Sequence, residues 1–350
     1  MSRRSRNPIN ECVNPSTTQK TFNTGDIELT VRPEALRVIN NSLEVIWSDN
    51  HHRSVYPAAL LAAYTSREAA TKYRYNDQQP IMWDAAAITN VPISVDHKMF
   101  MEHESTVNTV TQHLTKYGLC FINNCPAGSK AESQLQILAQ RIGPLKNTFY
   151  GPTWNVRAVE SAKNVAYTNV DLDLHMDLLY YESPPGLQFL YCLENQVDGG
   201  ASVFVDSFTA AEIMRSQYPE EFRILCDYLV DFKYENDGVY YHQARPTFVL
   251  NNQTKLLEYV NYSPPFQGIQ VSSGFSQYHK AISIFAKLIS QDSLRHELVL
   301  KEGQCVIFNN RRTLHARKSF GSGKRWLKGA YCDIDAMWSR HRTGERELRA

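Results

Sequence analysis

The sequence predicts a mainly β fold with flanking helices, a sandwich or double-sheet barrel of jelly-roll type, preceded by a small β-rich domain. Three observations carry this. Short apolar runs recur after Gly186 (LQFLYCL, SVFVDSF, TFVL, LLEYVNY and CVIFNN) and read as buried strands. Helical stretches are few and lie mostly at the flanks of these runs. No internal repeat or low-complexity linker interrupts the chain.

Taken in order, residues 1–25 are polar and aperiodic and read as a loose arm. Residues 26–95 form the small domain. Its runs IELTV, LRVI and LEVIW, separated by Pro, Asn and Ser, read as strands, and residues 57–71 as a helix begun by Pro57. A boundary near Pro92 to Val95 opens the main domain, 96–350. There, helices are expected at 104–116, closed by Tyr117-Gly118, at 131–141 before Gly143-Pro144, at 209–229 and at 277–289.

Composition narrows the class. The chain has 350 residues, 43% hydrophobic and 21% charged, as in soluble globular proteins. A formal net charge of +1 gives no reason to expect nucleic acid or an acidic membrane surface as partner. No apolar run approaches the roughly 18 residues a membrane span needs. The start MSRRSRNPIN lacks the apolar stretch of a secretory signal. Seven scattered cysteines, none in a CxxC pair, read as reduced thiols of a cytoplasmic protein. The expected partners are a small-molecule substrate and a second copy of the chain in a homodimer.

Among eleven histidines only His175 is followed two residues later by a carboxylate, in LHMDLLY. On an extended segment residues i and i+2 share a side, so His175 and Asp177 can reach one ion. His315, after an apolar strand and a turn, completes a 2-His-1-carboxylate face that leaves positions open for cosubstrate and dioxygen. Ten residues on, Arg325 is placed to grip the distal carboxylate of a keto acid with its planar fork. Lys324 and Lys328 are the neighbouring alternatives. An HxD pair alone is weak; with the later His and the Arg it becomes a set.

The flanks of this set resemble the γ-butyrobetaine hydroxylase family of 2-oxoglutarate-dependent oxygenases of the taurine dioxygenase type. The resemblance is carried by NTFYGPTWNV at 147–156, KNVAYT at 163–168, LHMD at 174–177 and SPPGLQFLYCLENQVDGG at 183–200. It continues through SVFVDSF at 202–208, NNRRTLHARKSF at 309–320 and KGAYCDID at 328–335. It implies a double-stranded β-helix, with Fe(II) held by His175, Asp177 and His315. It also implies 2-oxoglutarate clamped by Arg325, with Ser202 near its far carboxylate and Leu190 lining its pocket. Dioxygen and 2-oxoglutarate would then yield succinate and an oxidised substrate C–H bond.

By the same resemblance Tyr150, Trp154, Tyr167 and Tyr331 would surround a trimethylammonium group, and Asn164 and Asn261 would meet the substrate's other end. A quaternary ammonium donates no hydrogen bond and is recognised by ring faces. Two departures matter. The family's N-terminal zinc site is represented by VIWSDNHHRSVYPAALLAAY without its cysteines, so zinc is not expected there, and His51 and His52 read as solvated or structural. Leu178-Leu179-Tyr180 follows the Asp where better-known hydroxylases place a Tyr, which opens the substrate question. The alternative is a specialised-metabolism oxygenase that hydroxylates, desaturates or cyclises an amino acid or a larger scaffold. A non-catalytic binding protein is disfavoured, because the three ligand residues and the Arg are all present.

Overall fold

The computed structural model describes residues 12–347 apart from 15, 50, 76–78, 158–168, 237 and 271–272. Contacts divide the chain into two units, Met1–Asp77 and Gln78–Ala350. In the first, β1 (Pro33–Ile39), β2 (Ser42–Trp47) and β3 (Arg53–Pro57) form an antiparallel sheet in that order. Val45 and Tyr56 are its buried apolar anchors, and the Trp47 indole donates to Ser54 Oγ at 3.1 Å.

Two expectations are corrected in this unit. IELTV is not a strand: a short 3-10 turn over Thr24–Asp26 leads into a turn, and Leu29 is 97% exposed. An alternating run with no surface to bury against has nothing to hold it extended. The helix expected at 57–71 is two, Ala58–Ala63 and Arg67–Arg74. Pro57 ends β3, and the Ser66 hydroxyl accepts from Ala69 N, capping the second helix.

The second unit carries two facing sheets. Its strands are β4 (Ser94–Asp96), β5 (Leu119–Asn123), β6 (Thr153–Val156), β7 (Leu172–His175), β8 (Leu187–Asn195) and β9 (Ser202–Asp206). They continue with β10 (Leu229–Asn236), β11 (Val239–Pro246), β12 (Phe248–Leu250), β13 (Leu257–Val260), β14 (His296–Leu298), β15 (Cys305–Asn309), β16 (Thr313–Arg317) and β17 (Arg325–Cys332). The larger sheet has the order β4-β5-β15-β8-β17-β6 and the smaller β14-β9-β16-β7. All pairings are antiparallel except β4 with β5.

Period-2 alternation decides what each strand presents. In β8, Leu187, Phe189, Tyr191 and Leu193 pack with Val107, Val110, Leu114 and Leu138 of the helices Glu104–Tyr117 and Gln134–Gln140. Leu190 and Cys192 fall on the other face and meet Phe204 of β9 and Phe308 of β15. In the smaller sheet Val203, Val205, Leu314 and Ala316 share a cluster with Met214, Leu225 and Phe285 of the helices Ser207–Gln217, Pro219–Asp227 and Phe275–Ile289. Alternation therefore turns Phe204 and His315 toward the space between the sheets, where the Phe308 and His315 rings lie 4.9 Å apart. Burying Phe204 or Phe308 completely contributes about 1.5–3 kcal/mol each.

The helix expected at 209–229 is two helices meeting at Tyr218-Pro219, because proline restarts a helix at its first turn but cannot continue one. It stops at Asp227, and Leu229 opens the hairpin β10–β11, which the sequence reading missed. The two sheets facing across a shared core are the double-stranded β-helix expected from the sequence, with added helices and small sheets.

Candidate metal centre

β7 ends at His175, directly opposite His315 of β16, and the two rings are 4.2 Å apart. Met176 turns into the core with no exposure, which returns Asp177 to the side of His175. The chain then turns sharply at Leu178, whose φ of +57° is unusual for a non-glycine residue. Asn310 clamps this turn: its Oδ1 accepts from Asp177 N at 2.8 Å, and its Nδ2 donates to Asp177 O at 3.0 Å and Pro185 O at 3.1 Å. Arg245 holds the next stretch through the carbonyls of Leu179, Tyr181 and Glu182.

His175, Asp177 and His315 each offer a ligand atom, all within 4.8 Å of one another. His175 Nδ1 lies 2.7 Å from the Asp173 carbonyl, which can only accept, so Nδ1 carries a proton and Nε2 is the atom turned to the metal site. That Nε2 is 3.3 Å from Asp177 Oδ1, and His315 Nε2 is 4.0 Å from Asp177 Oδ2. The Tyr331 hydroxyl of β17 donates to Oδ2 at 2.6 Å. Burial alone would raise the Asp177 carboxyl, but the His175 hydrogen bond, both imidazoles and Tyr331 hold it well below the usual carboxylate range. Burial, then His175, push His315 down to about 3, so it stays neutral and able to donate a lone pair. Burial lowers His175, but the contacts led by Asp177 together raise it above its ordinary value, so a bound metal would displace the proton on Nε2; two imidazoles and one carboxylate then fit a divalent first-row metal such as Fe(II).

Arg325 opens β17 and is 7% exposed, with its guanidinium 5.3 Å from the Phe320 ring centre. Its buried Nε has no hydrogen-bond partner. Burial, then the nearby Arg317, lower it to about 10. Arg317, two residues after His315, lies over the same Phe320 ring at 5.1 Å and donates to Val170 O at 2.7 Å. Two buried cations close together, one with an unused donor, suit a carboxylate such as the far end of 2-oxoglutarate. Gly200, at φ +66°, closes the neighbourhood, since a Cβ there would lie 3.2 Å from Arg325 Nε. Ser202 pairs in register with Arg317, and Leu190 with Gly329 of β17. Lys324 is exposed, and Lys328 pairs with Glu132 at 2.5 Å.

The expected substrate residues divide. Tyr150, Trp154 and Tyr331 form a row, with ring centres 5.8 and 4.2 Å apart in turn. Trp154 can lie on β17 because Gly329 has no side chain: a Cβ there would sit 2.3 Å from the indole. Asn164 and Tyr167 lie outside the described residues. Asn261 spends its amide on Pro246 O at 2.7 Å and on Arg311 at 3.0 Å. Sequence reasoning missed Asn310, Arg245 and Arg317, and it missed the rings that extend the row. Phe149 lies 4.0 Å from Tyr150 and 4.9 Å from Tyr234, and Tyr234 is 5.1 Å from Tyr180. The Tyr pairs at 180–181 and 240–241 were the available signal.

Comparison with known proteins agrees with this geometry. Residues 80–331 match the taurine catabolism dioxygenase TauD, TfdA family, and residues 4–62 match the N-terminal domain of gamma-butyrobetaine hydroxylase-like proteins. The chain is 36% identical to dioxygenase str8 of Strobilurus tenacellus, over 95% of this chain and 81% of that one. It is 31% identical to gamma-butyrobetaine dioxygenase of Pseudomonas sp. (strain AK-1), over 95% and 86%. The fold is also that of an asparagine oxygenase solved with Fe(II), 3-hydroxyasparagine and succinate. That match has a TM-score of 0.53 at 14% identity, over 65% of this chain and 79% of that one. No helix among the described residues is long and apolar enough to cross a membrane. The chain belongs to the TauD/TfdA family, in its gamma-butyrobetaine hydroxylase-like group, and is an Fe(II)- and 2-oxoglutarate-dependent oxygenase.

Proposed function

We propose that His175, Asp177 and His315 hold the Fe(II), that Arg325 grips 2-oxoglutarate beside Ser202 and Leu190, and that the enzyme oxidises an unactivated C–H bond of a small trimethylammonium carboxylate. The single observation carrying the reading is Tyr331, whose hydroxyl holds Asp177 while its ring stacks on Trp154. One residue thus joins the metal centre to the aromatic row. Bound there, iron supplies the redox chemistry that couples decarboxylation of 2-oxoglutarate to substrate oxidation.

The remaining roles follow from the side chains. Asp177 stays ionised and is held in orientation by Tyr331. Tyr150, Trp154 and Tyr331 offer ring faces to a cation at up to about 2 kcal/mol per desolvated contact. The substrate carboxylate falls to Asn164 in this reading. The scattered spacing of the seven cysteines is the ground for placing the enzyme in the cytoplasm.

The aromatic packing that continues the row through Phe149 to Tyr234 and Tyr180, both buried in it, favours a second reading, a larger apolar or aromatic scaffold. Titration of γ-butyrobetaine against its neutral tert-butyl analogue, in the anaerobic Fe(II)–2-oxoglutarate complex, separates the two. Preference for the cation supports the betaine. Preference for the neutral compound, or binding of neither, removes it, and succinate release across a panel of amino acids and apolar scaffolds then identifies the class.

A further inference from the structure

A second cationic cavity, of about 410 Å³, is lined by Arg311, Arg245, Tyr259 and Asn261 together with Glu182 and Ser183. Arg311 directly follows the Asn310 that clamps Asp177, yet it is 6% exposed and takes no part in that clamp. Its Nη2 donates to Asn261 Oδ1 at 3.0 Å, and its guanidinium lies 4.7 Å from the Tyr259 ring centre. Its Nη1 is buried with no hydrogen-bond partner.

The adjacent residue shows what a satisfied buried arginine looks like in this fold. Arg312 grips both oxygens of Asp206 at 2.9 and 2.7 Å and donates to the carbonyls of Lys116 and Ile81. Arg311 has no such carboxylate among the described residues. Burial, and then a second cation, Arg245, lower it to about 10. Arg245 spends its donors on backbone carbonyls. Glu182 is the one acid lining the cavity, and its charge acts on Arg245. Two guanidiniums against one carboxylate leave the cavity cationic. A buried charged donor left unpaired is costly unless a ligand completes it.

We propose that this cavity binds a small anion, a carboxylate or a phosphate, with Arg311 Nη1 as its principal donor. The site is separate from the Arg325 neighbourhood; it shares Asn261 with the residues that the resemblance gave to the substrate's far end, and that amide is already spent on Pro246 O and Arg311. Planar paired oxygens facing a guanidinium fork make the geometry specific for such groups over chloride.

The test is calorimetric titration of inorganic phosphate, and separately of acetate, at constant ionic strength. The full chain is used with Fe(II) and 2-oxoglutarate bound under anaerobic conditions, so that the Arg325 neighbourhood is already taken. Arg311→Met is compared with wild type. The expected result is saturable one-to-one binding of at least one anion, weakened about tenfold or more in the variant. The tighter arm tells phosphate from carboxylate. Should Arg311→Met fail to fold, Arg311→Lys serves instead: it keeps the charge, loses the fork and weakens the same binding. Heats that do not saturate for either anion, or equal affinity in wild type and the folded variant, overturn the proposal.

Discussion

Replacing Tyr331 with Phe deletes one oxygen and leaves the ring. The lost group donates to Asp177 Oδ2 at 2.6 Å from a residue only 2% exposed. That distance is in the range of charge-assisted O–H···O⁻ bonds, which contribute about 1.5–3 kcal/mol. Without the donor, Asp177 Oδ2 is left 4.0 Å from His315 and free to rotate away from the position that keeps Oδ1 toward His175. Fe(II) affinity should therefore fall about 10- to 100-fold, the usual cost of removing a group that orients a metal ligand. The stacking on Trp154 at 4.2 Å survives, so substrate packing and the fold should change little. Anaerobic Fe(II) titration, with unfolding measured in parallel, reads both. Affinity within twofold of wild type would refute the positioning role of Tyr331.

Three further outcomes follow from the same structure. Arg325→Lys keeps the charge and loses the fork, so half-saturating 2-oxoglutarate should rise about tenfold or more in a succinate-release assay; an unchanged requirement would assign the carboxylate to another residue. Arg312→Met strands Asp206 in a site where the pair is 2% and 0% exposed, and chemical denaturation should show a loss of about 3–5 kcal/mol. Gly329→Ala places a methyl 2.3 Å from the Trp154 indole, and the displaced ring should appear as a shifted tryptophan emission with about 1–3 kcal/mol of destabilisation; an unmoved spectrum would contradict the packing.

Much of the site was legible because it follows local rules. His175 and Asp177 share a side through the spacing of an extended segment, and Met176 between them is apolar because it faces the core. Arg325 is picked out by its place ten residues after His315; the strand it opens, β17, is a finding of the structure. The bond from Tyr331 to Asp177 was not legible, since it depends on how β17 lies against the turn after β7, which no local pattern specifies. Arg245 was hidden for the same reason: it reaches back 66 residues to Leu179. In the first unit, IELTV alternates like a strand but finds no partner surface, so tertiary context decided against the pattern. The hairpin β10–β11 carried its own signals, alternation and Gly238 at φ +75°, but the sequence reading assigned no element to 230–246.

The central claim is that His175, Asp177 and His315 together hold the iron. Anaerobic Fe(II) titration of Asp177→Ala beside wild type, with circular dichroism as a check on folding, tests it most directly. The predicted result is one tightly bound Fe(II) per wild-type chain, its loss in the variant, and no iron-dependent succinate release from a fold that is otherwise intact. Stoichiometric Fe(II) binding with full turnover in Asp177→Ala would contradict it.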